Sequence, residues 1–281
     1  MSARFAGLDI GGTKIAAGLV SADGRLLRSD RVPTPRTGAD TVLAAAADLA
    51  TRVMAGETVA GVGVGAPGVI DRVAGTVLSA TDVLPGWAGA PVRPALERRL
   101  GRPVTVDNDV RAMALGEVRA GAARGHADVL FVSVGTGIGG ALAHHGRLRR
   151  GPHGTAGEVG HLLAGQTGPI ACGCGRTDHV EAVASGPAIA AGGPDALPRA
   201  AAVLGRALAG LVTALDVDAV VIGGGVAQAG AAFLTPLERA LRAEVLPPLR
   251  AIPILGAALG ADAPIVGAAL LAADALEETT R

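Results

Sequence analysis

Phe5-Ala6-Gly7-Leu8-Asp9-Ile10-Gly11-Gly12-Thr13-Lys14-Ile15-Ala16-Ala17-Gly18-Leu19-Val20 is an apolar run broken by one glycine turn. The pattern predicts a strand over Phe5–Ile10, a tight turn at Gly11-Gly12-Thr13 and a second strand over Lys14–Val20. A third strand, Leu26–Val32, follows the Asp23-Gly24 turn and completes a meander. Two glycines without Cβ atoms let backbone N–H groups converge on an anion, and Thr13 and Lys14 add donors. Asp9, which only accepts, suits Mg²⁺ or its water shell. Lys14 is the only lysine in a chain that otherwise uses arginine. The two cations are not equivalent, so a lysine kept beside a glycine turn points to phosphate contact. Alone, however, such a turn is simply a β-turn.

The arrangement then returns. Val129–Val134 predicts a strand, Gly135-Thr136-Gly137 a turn and Ile138–His144 its partner strand. A third glycine element, Gly223-Gly224-Gly225, closes the strand Ala219–Ile222 ahead of a helix, where bare backbone can approach a flat nucleoside. Helical spacing covers Ala39–Val53, Val92–Leu100, a stretch from about Asn108, Arg199–Leu215, Ala231–Val245 and Ala263–Leu276. Buried strands are expected at Val59–Gly65 and Val104–Asp107. Two halves that each open strand, glycine turn, strand predict a duplicated α/β fold: two α/β domains around a cleft. The expected domains are 1–108 with the C-terminal helix at about 263–281, and 109–262. None of the glycine elements has Walker or Rossmann spacing.

Composition narrows the functional classes. The 25 basic and 25 acidic residues cancel and are interspersed, so nothing offers the basic strip that nucleic acid or an anionic membrane needs. The first residues lack the basic and long apolar regions of a secretory signal, and apolar runs such as Val217–Val226 stop short of bilayer length, so a cytoplasmic protein is expected. Cys172 and Cys174 are separated by one residue, a spacing poor for a disulfide and better for a metal.

Taken together, Asp9–Lys14, Gly65-Ala66-Pro67-Gly68, Asp107-Asn108-Asp109, the second glycine hairpin, Gly157-Glu158-Val159-Gly160-His161, Cys172-Gly173-Cys174-Gly175 and Gly223-Gly224-Gly225 resemble the ROK family (repressors, open reading frames and kinases). This family lies within the actin-like, hexokinase-like ATPase superfamily, whose fold is ribonuclease H-like in each half. The resemblance covers nearly the whole chain and implies an ATP-dependent kinase for a hexose hydroxyl, the 6-hydroxyl by family precedent. It implies that Asp9, Gly11, Gly12, Thr13, Lys14, Gly135, Thr136 and Gly137 serve the phosphates of Mg·ATP, and Gly223, Gly224 and Gly225 its nucleoside. Alone, Asn108 or Asp109 at a helix start is a cap. By resemblance, Asp109 is the general base that takes the proton from the attacking hydroxyl, while Gly68, Asn108, Glu158, His161 and Glu181 contact the sugar.

His161, Cys172, Cys174 and His179 follow H-x10-C-x-C-x4-H. The family has cysteine at the last position, so His179 is a departure, but a Cys₂His₂ set still suits a structural Zn²⁺. Asp82 is a second departure. It stands where many sugar kinases of the family carry an asparagine near the sugar 3-hydroxyl, and a carboxylate there favours a cationic amino group. Glucose or an amino-hexose, glucosamine or 3-amino-glucose, is therefore the expected substrate. Alternatives are an N-acetylhexosamine kinase or a non-catalytic sugar-sensing regulator without a DNA-binding domain. The stretch from Ser185-Gly186-Pro187 to the helix at Arg199 is shorter than the family's, implying loss of a helix pair. A homodimer or higher homo-oligomer is expected.

Overall fold

A computed structural model describes residues 3–80, 84–165 and 169–279. The chain forms two compact units: Met1–Gly121 with Pro152–Gly154 and Ala261–Arg281, and Ala122–Gly151 with Thr155–Gly260.

In the first unit β1 (Arg4–Ile10), β2 (Lys14–Ser21) and β3 (Leu26–Pro33) form the expected meander. Helix α1 (Ala39–Met54) follows, then β4 (Gly61–Ala66), a small hairpin of β5 (Val69–Asp71) and β6 (Thr76–Ser79), α2 (Val92–Leu100), β7 (Val104–Asn108) and α3 (Asp109–Ala120). The main sheet runs β3-β2-β1-β4-β7. The meander pairs antiparallel, whereas β1–β4 and β4–β7 are parallel. Strands β1 and β4 are apolar on both sides because both faces of the sheet are covered, as parallel pairing requires. On α1 the buried residues Val42, Leu43, Ala46, Ala47, Leu49, Ala50 and Val53 recur at helical spacing and form its core stripe.

The chain's last helix, Ala263–Thr279, lies in backbone contact with this sheet and with α3. A Cβ on Gly63 would fall 1.6 Å from the Ala268 carbonyl oxygen, and one on Gly267 the same distance from that of Ala112. Glycine is the only residue either position accepts.

The second unit repeats the plan. It holds β8 (Asp128–Val134), β9 (Ile138–His144) and β10 (Arg147–Arg149), then short helices α4 (Val180–Ala184) and α5 (Gly186–Ala191). Helix α6 (Ala196–Leu215), β11 (Ala219–Gly223), α7 (Ala231–Glu244) and β12 (Ile254–Gly256) follow; the last helix, in the first unit, is α8. Sheet order β10-β9-β8-β11-β12, antiparallel and then parallel, matches that of the first unit. Leu204, Leu208 and Val212 of α6 bury against a core that includes Phe233, Leu237 and Leu241 of α7. Helix α6 is long and apolar enough to cross a bilayer, an exception to the expectation that no segment is, and it is half buried as the core helix of this unit.

The structure differs from the sequence pattern in several places. Helix α3 belongs with the first unit, which runs to Gly121, although the sequence pattern divides the chain after residue 108. The bare Cα atoms of Gly116 and Gly267 let α3 and α8 meet. The β5–β6 hairpin, β10, β12, α4 and α5 are additions. Strand β4 begins at Gly61 instead of Val59, and α6 begins three residues early, with Pro198 accommodated in its first turn.

Candidate active site

At the carboxyl ends of the parallel strands, Gly65 of β4 is in register with Asp9 of β1 on one side and Asp107 of β7 on the other. Strand ends of this kind are where open α/β sheets place ligands. Chain geometry then puts Asn108 and Asp109 at the turn from β7 into α3. Asn108 caps the helix: its Oδ1 accepts the N–H groups of Val110 (3.0 Å) and Arg111 (3.3 Å). Its Nδ2 donates to the Gly68 carbonyl oxygen (3.1 Å) and to Asp109 Oδ1 (2.9 Å). The amide of Asn108 therefore caps the helix and holds together the loop before β5 and the carboxylate of Asp109.

Asp109 Oδ1 also accepts the Val110 N–H at 2.9 Å. Its other oxygen has no hydrogen-bond partner among the described residues. Burial raises the pKa of Asp109 against the lowering effect of these bonds. Asp9 is pushed up to about 7, first by burial and then by the charge of Asp109, with Lys14 pulling the other way. Asp9 thus feels the charge of Asp109 while both carboxyls are partly withdrawn from water, an arrangement that suits a divalent cation beside a proton acceptor.

Beneath them Asp107 is fully buried, its oxygens 3.4 Å from Arg72 Nε and 3.6 Å from Arg111 Nη1. It also accepts the Asn108 N–H at 2.9 Å, and Arg111 donates to the Gly154 carbonyl oxygen. Asp107 stands in the quoted motif, yet nothing in its spacing tells it from its neighbours. The first glycine turn is closed by Gly11 N–H to the Lys14 carbonyl (3.0 Å). Thr34 then latches it, donating from Oγ1 to the Gly11 carbonyl (2.6 Å) and from N–H to that of Thr13 (3.0 Å). Gly12 and Thr13 lie in that turn. Lys14 lines a cavity of about 340 Å³ with Ser29, Arg31 and Asp262, and none of Asp9, Gly11, Gly12 and Thr13 lines it.

In the second unit the other two glycine elements come together. Gly223 pairs with Ser133 across β8 and β11, and a Cβ on Gly224 (φ +88°) would lie 2.3 Å from the Val134 carbonyl oxygen. Gly225 faces open space. The turn Gly135–Gly137 is closed by Gly135 N–H to the Gly137 carbonyl (2.9 Å), with Thr136 at its tip, and Gly186 N–H donates to the Gly135 carbonyl (2.7 Å). Glu181 turns its Oε2 onto the Ile138 N–H at 2.8 Å. Glu158 is exposed at the start of the 3₁₀ turn Val159–His161.

His161, Cys172, Cys174 and His179 converge, one ligand atom of each lying within 4.8 Å of the others. The two Nδ1 atoms are 3.2 Å apart, and Cys174 Sγ is 3.2 Å from His179 Nδ1. A tetrahedral zinc with ordinary bond lengths has N–N edges of about 3.3 Å and N–S edges of about 3.6 Å, so the donors fit that ion. The loop is shaped by Gly175 N–H to the Cys172 carbonyl (3.0 Å) and by Asp178, whose φ of 62° lets its Oδ1 accept the Ile170 N–H at 2.8 Å. Burial pushes the Cys172 thiol up, so metal binding here must displace a proton. Because His161 uses Nδ1 toward the cluster, its Nε2 is left on the far side of the ring.

The structure therefore assembles Asp9, Gly68, Asn108 and Asp109 in one unit and the two glycine elements, Glu181 and the metal ligands in the other. Asp82 lies outside the described residues. Thr34, Arg72 and Arg111 are site-shaping residues that the sequence pattern does not single out, and Asp107 is quoted there only as part of its motif.

The ROK family's sequence pattern matches residues 5–196 and 192–275. The chain is 38% identical to the ROK hexokinase of Thermus thermophilus, with a TM-score of 0.87, 98% of this chain and 99% of that one being covered. It is 34% identical to a ROK family glucokinase from Streptomyces griseus solved with glucose and AMPPNP, with a TM-score of 0.84 over 96% and 99% of the two chains. It is 36% identical to the N-acetylmannosamine kinase of Escherichia fergusonii over 94% of this chain and 97% of that protein. With its two mixed five-stranded sheets, its glycine turns and its His/Cys cluster, this chain belongs to the ROK family of sugar kinases and their relatives.

Proposed function

We propose that this protein transfers the γ-phosphoryl group of Mg·ATP to the 6-hydroxyl of a hexose, with glucose or an amino-hexose as acceptor. The observation that carries the reading is the desolvated pair of Asp9 and Asp109 at the sheet's carboxyl end, one oxygen of Asp109 being uncommitted. Phosphoryl transfer needs positioning, neutralisation of phosphate charge and one base within reach of the hydroxyl.

In this reading Asp109 accepts the proton of the attacking hydroxyl, and burial, by raising its pKa, makes it a stronger base than an exposed carboxylate. Asn108 fixes the Asp109 rotamer through its 2.9 Å bond. Asp9 would hold Mg²⁺ through its water shell, and the glycine turns would supply backbone donors to phosphate. By family precedent Gly68, Glu158, His161 and Glu181 are the sugar contacts, with Asp82 the residue expected to set a preference for an amino group. His161, Cys172, Cys174 and His179 would hold Zn²⁺, which when bound would cross-link the loop; the protein's part is then to present His161 Nε2 in one orientation.

An N-acetylmannosamine kinase is the second reading, favoured by the 36% identity to one such enzyme. ATP consumption measured across glucose, glucosamine, 3-amino-glucose, mannose, N-acetylglucosamine and N-acetylmannosamine tests both. The proposal expects glucose or an amino-hexose to give the highest kcat/KM. A preference for N-acetylated sugars selects the second reading, and no sugar-dependent ATP consumption at all refutes catalysis.

A further inference from the structure

Ile138 is the first residue of β9, directly after the second glycine turn. Both of its backbone groups are covered by residues that flank metal ligands. Its N–H is taken by Glu181 Oε2 at 2.8 Å, and Glu181 is two residues past His179. Its carbonyl oxygen is approached so closely by Gly160, the residue before His161, that a Cβ there would lie only 2.2 Å away. The fit is equally tight on the turn itself. A Cβ on Gly137 would come within 2.6 Å of Glu181 Oε2, so the bare Cα is what admits the carboxylate. A third tether, Gly186 N–H to the Gly135 carbonyl, comes from the next helix after Glu181.

The positions of these contacts along the chain are the informative part. The turn's only side chain, that of Thr136, is exposed and has no hydrogen-bond partner among the described residues. The shape of the turn is imposed by the 3₁₀ turn that ends at His161 and by the helix α4 that begins just after His179. Two of the four converging ligands therefore sit at the roots of the two elements that grip Ile138. A charge-assisted bond to a backbone N–H, with the donor at ordinary distance, is the strongest of these contacts.

We infer that Glu181 is a positioning residue that ties the second glycine turn to the metal-ligand loop, so that the order of that loop is felt at the turn. The inference rests on the reading of this turn as a phosphate-binding element, and it gives Glu181 a second task through Oε2 beside any contact that Oε1 makes with sugar. Loosening the loop or shortening the carboxylate then frees the Ile138 N–H and blurs the turn's donors.

Two substitutions separate reach from charge. Glu181→Gln keeps the length and an oxygen acceptor but loses the charge; Glu181→Asp keeps the charge but falls one methylene short. Hydrogen exchange of the Ile138 amide is read in both and in the parent chain, before and after chelation, together with KM for ATP and for sugar. Expected is exchange at least about tenfold faster in Glu181→Asp, with a comparable rise in KM for ATP. In Glu181→Gln, which keeps an acceptor in place but loses the charge assistance, exchange and KM for ATP rise less than in Glu181→Asp, while KM for sugar rises. Chelation speeds Ile138 exchange in the parent chain and adds little in Glu181→Asp. An Ile138 amide that stays protected in Glu181→Asp, or in the chelated parent, overturns the inference. A parent chain that binds no ATP would instead sink the kinase reading, and the exchange arm would still decide whether the tie exists.

Discussion

Replacing Asp9 by asparagine removes a charge from a place that resists charge. Burial and the neighbouring Asp109 raise the Asp9 carboxyl from 3.8 to about 7. The folded protein therefore binds this proton more tightly than the unfolded chain does. Between about pH 4 and about pH 7 each unit of rising pH costs roughly 1.36 kcal/mol of stability, and above pH 7 the loss is complete. Three units give a ceiling of about 4 kcal/mol, and water entering the pocket around the ionised group brings the expected figure to about 2 kcal/mol. Asp9→Asn should thus match the parent protein near pH 4 and exceed it by about 2 kcal/mol at pH 8, about 4–8 °C in Tm for a unit of this size. Trp87, the only tryptophan and buried in the first unit, reports unfolding of the unit that matters. The assay is urea and thermal unfolding followed by its fluorescence, from pH 4 to 8.5, without metal or nucleotide. Millimolar Mg²⁺ should narrow the gap at pH 8 by stabilising the parent alone. Parallel pH profiles for the two proteins would refute the reasoning.

Two further perturbations follow from the same geometry. Asp107→Ala strips the buried Arg111 of its carboxylate and should cost about 3 kcal/mol in Trp87-detected unfolding, with a fall in kcat as Asn108 loses its anchor; a change under about 0.5 kcal/mol would mean the Arg72–Asp107–Arg111 group is not holding the turn. His179→Cys should keep about one zinc per chain by elemental analysis, whereas His179→Ala should fall below about half and raise KM for sugar through His161; full zinc content in His179→Ala would remove His179 from the ligand set.

The meander and the two glycine hairpins were legible in the sequence because apolar runs bounded by glycines leave few other foldings. The β7–α3 junction was legible for the same reason: Asp107-Asn108-Asp109 ends an apolar strand, and Asn108 does cap the helix. What escaped is what depends on partners far along the chain. Strand β12 is three residues long and exists because β11 offers it an edge. Thr34 reaches Gly11 across 23 residues and Glu181 reaches Ile138 across 43, and neither bond leaves a periodic trace. The place of helix α3 was hidden for a related reason. Its place is set by small-residue contact with α8, some 150 positions later, which only the fold brings near.

The most direct test of the account is Asp109→Asn, an isosteric change that keeps the Asn108 contact possible and removes the base. With glucose or the best sugar of the panel, kcat should fall by about 10²–10⁴-fold while calorimetric sugar affinity stays within about threefold. Turnover within about tenfold of the parent protein would contradict the account and place the proton acceptor elsewhere.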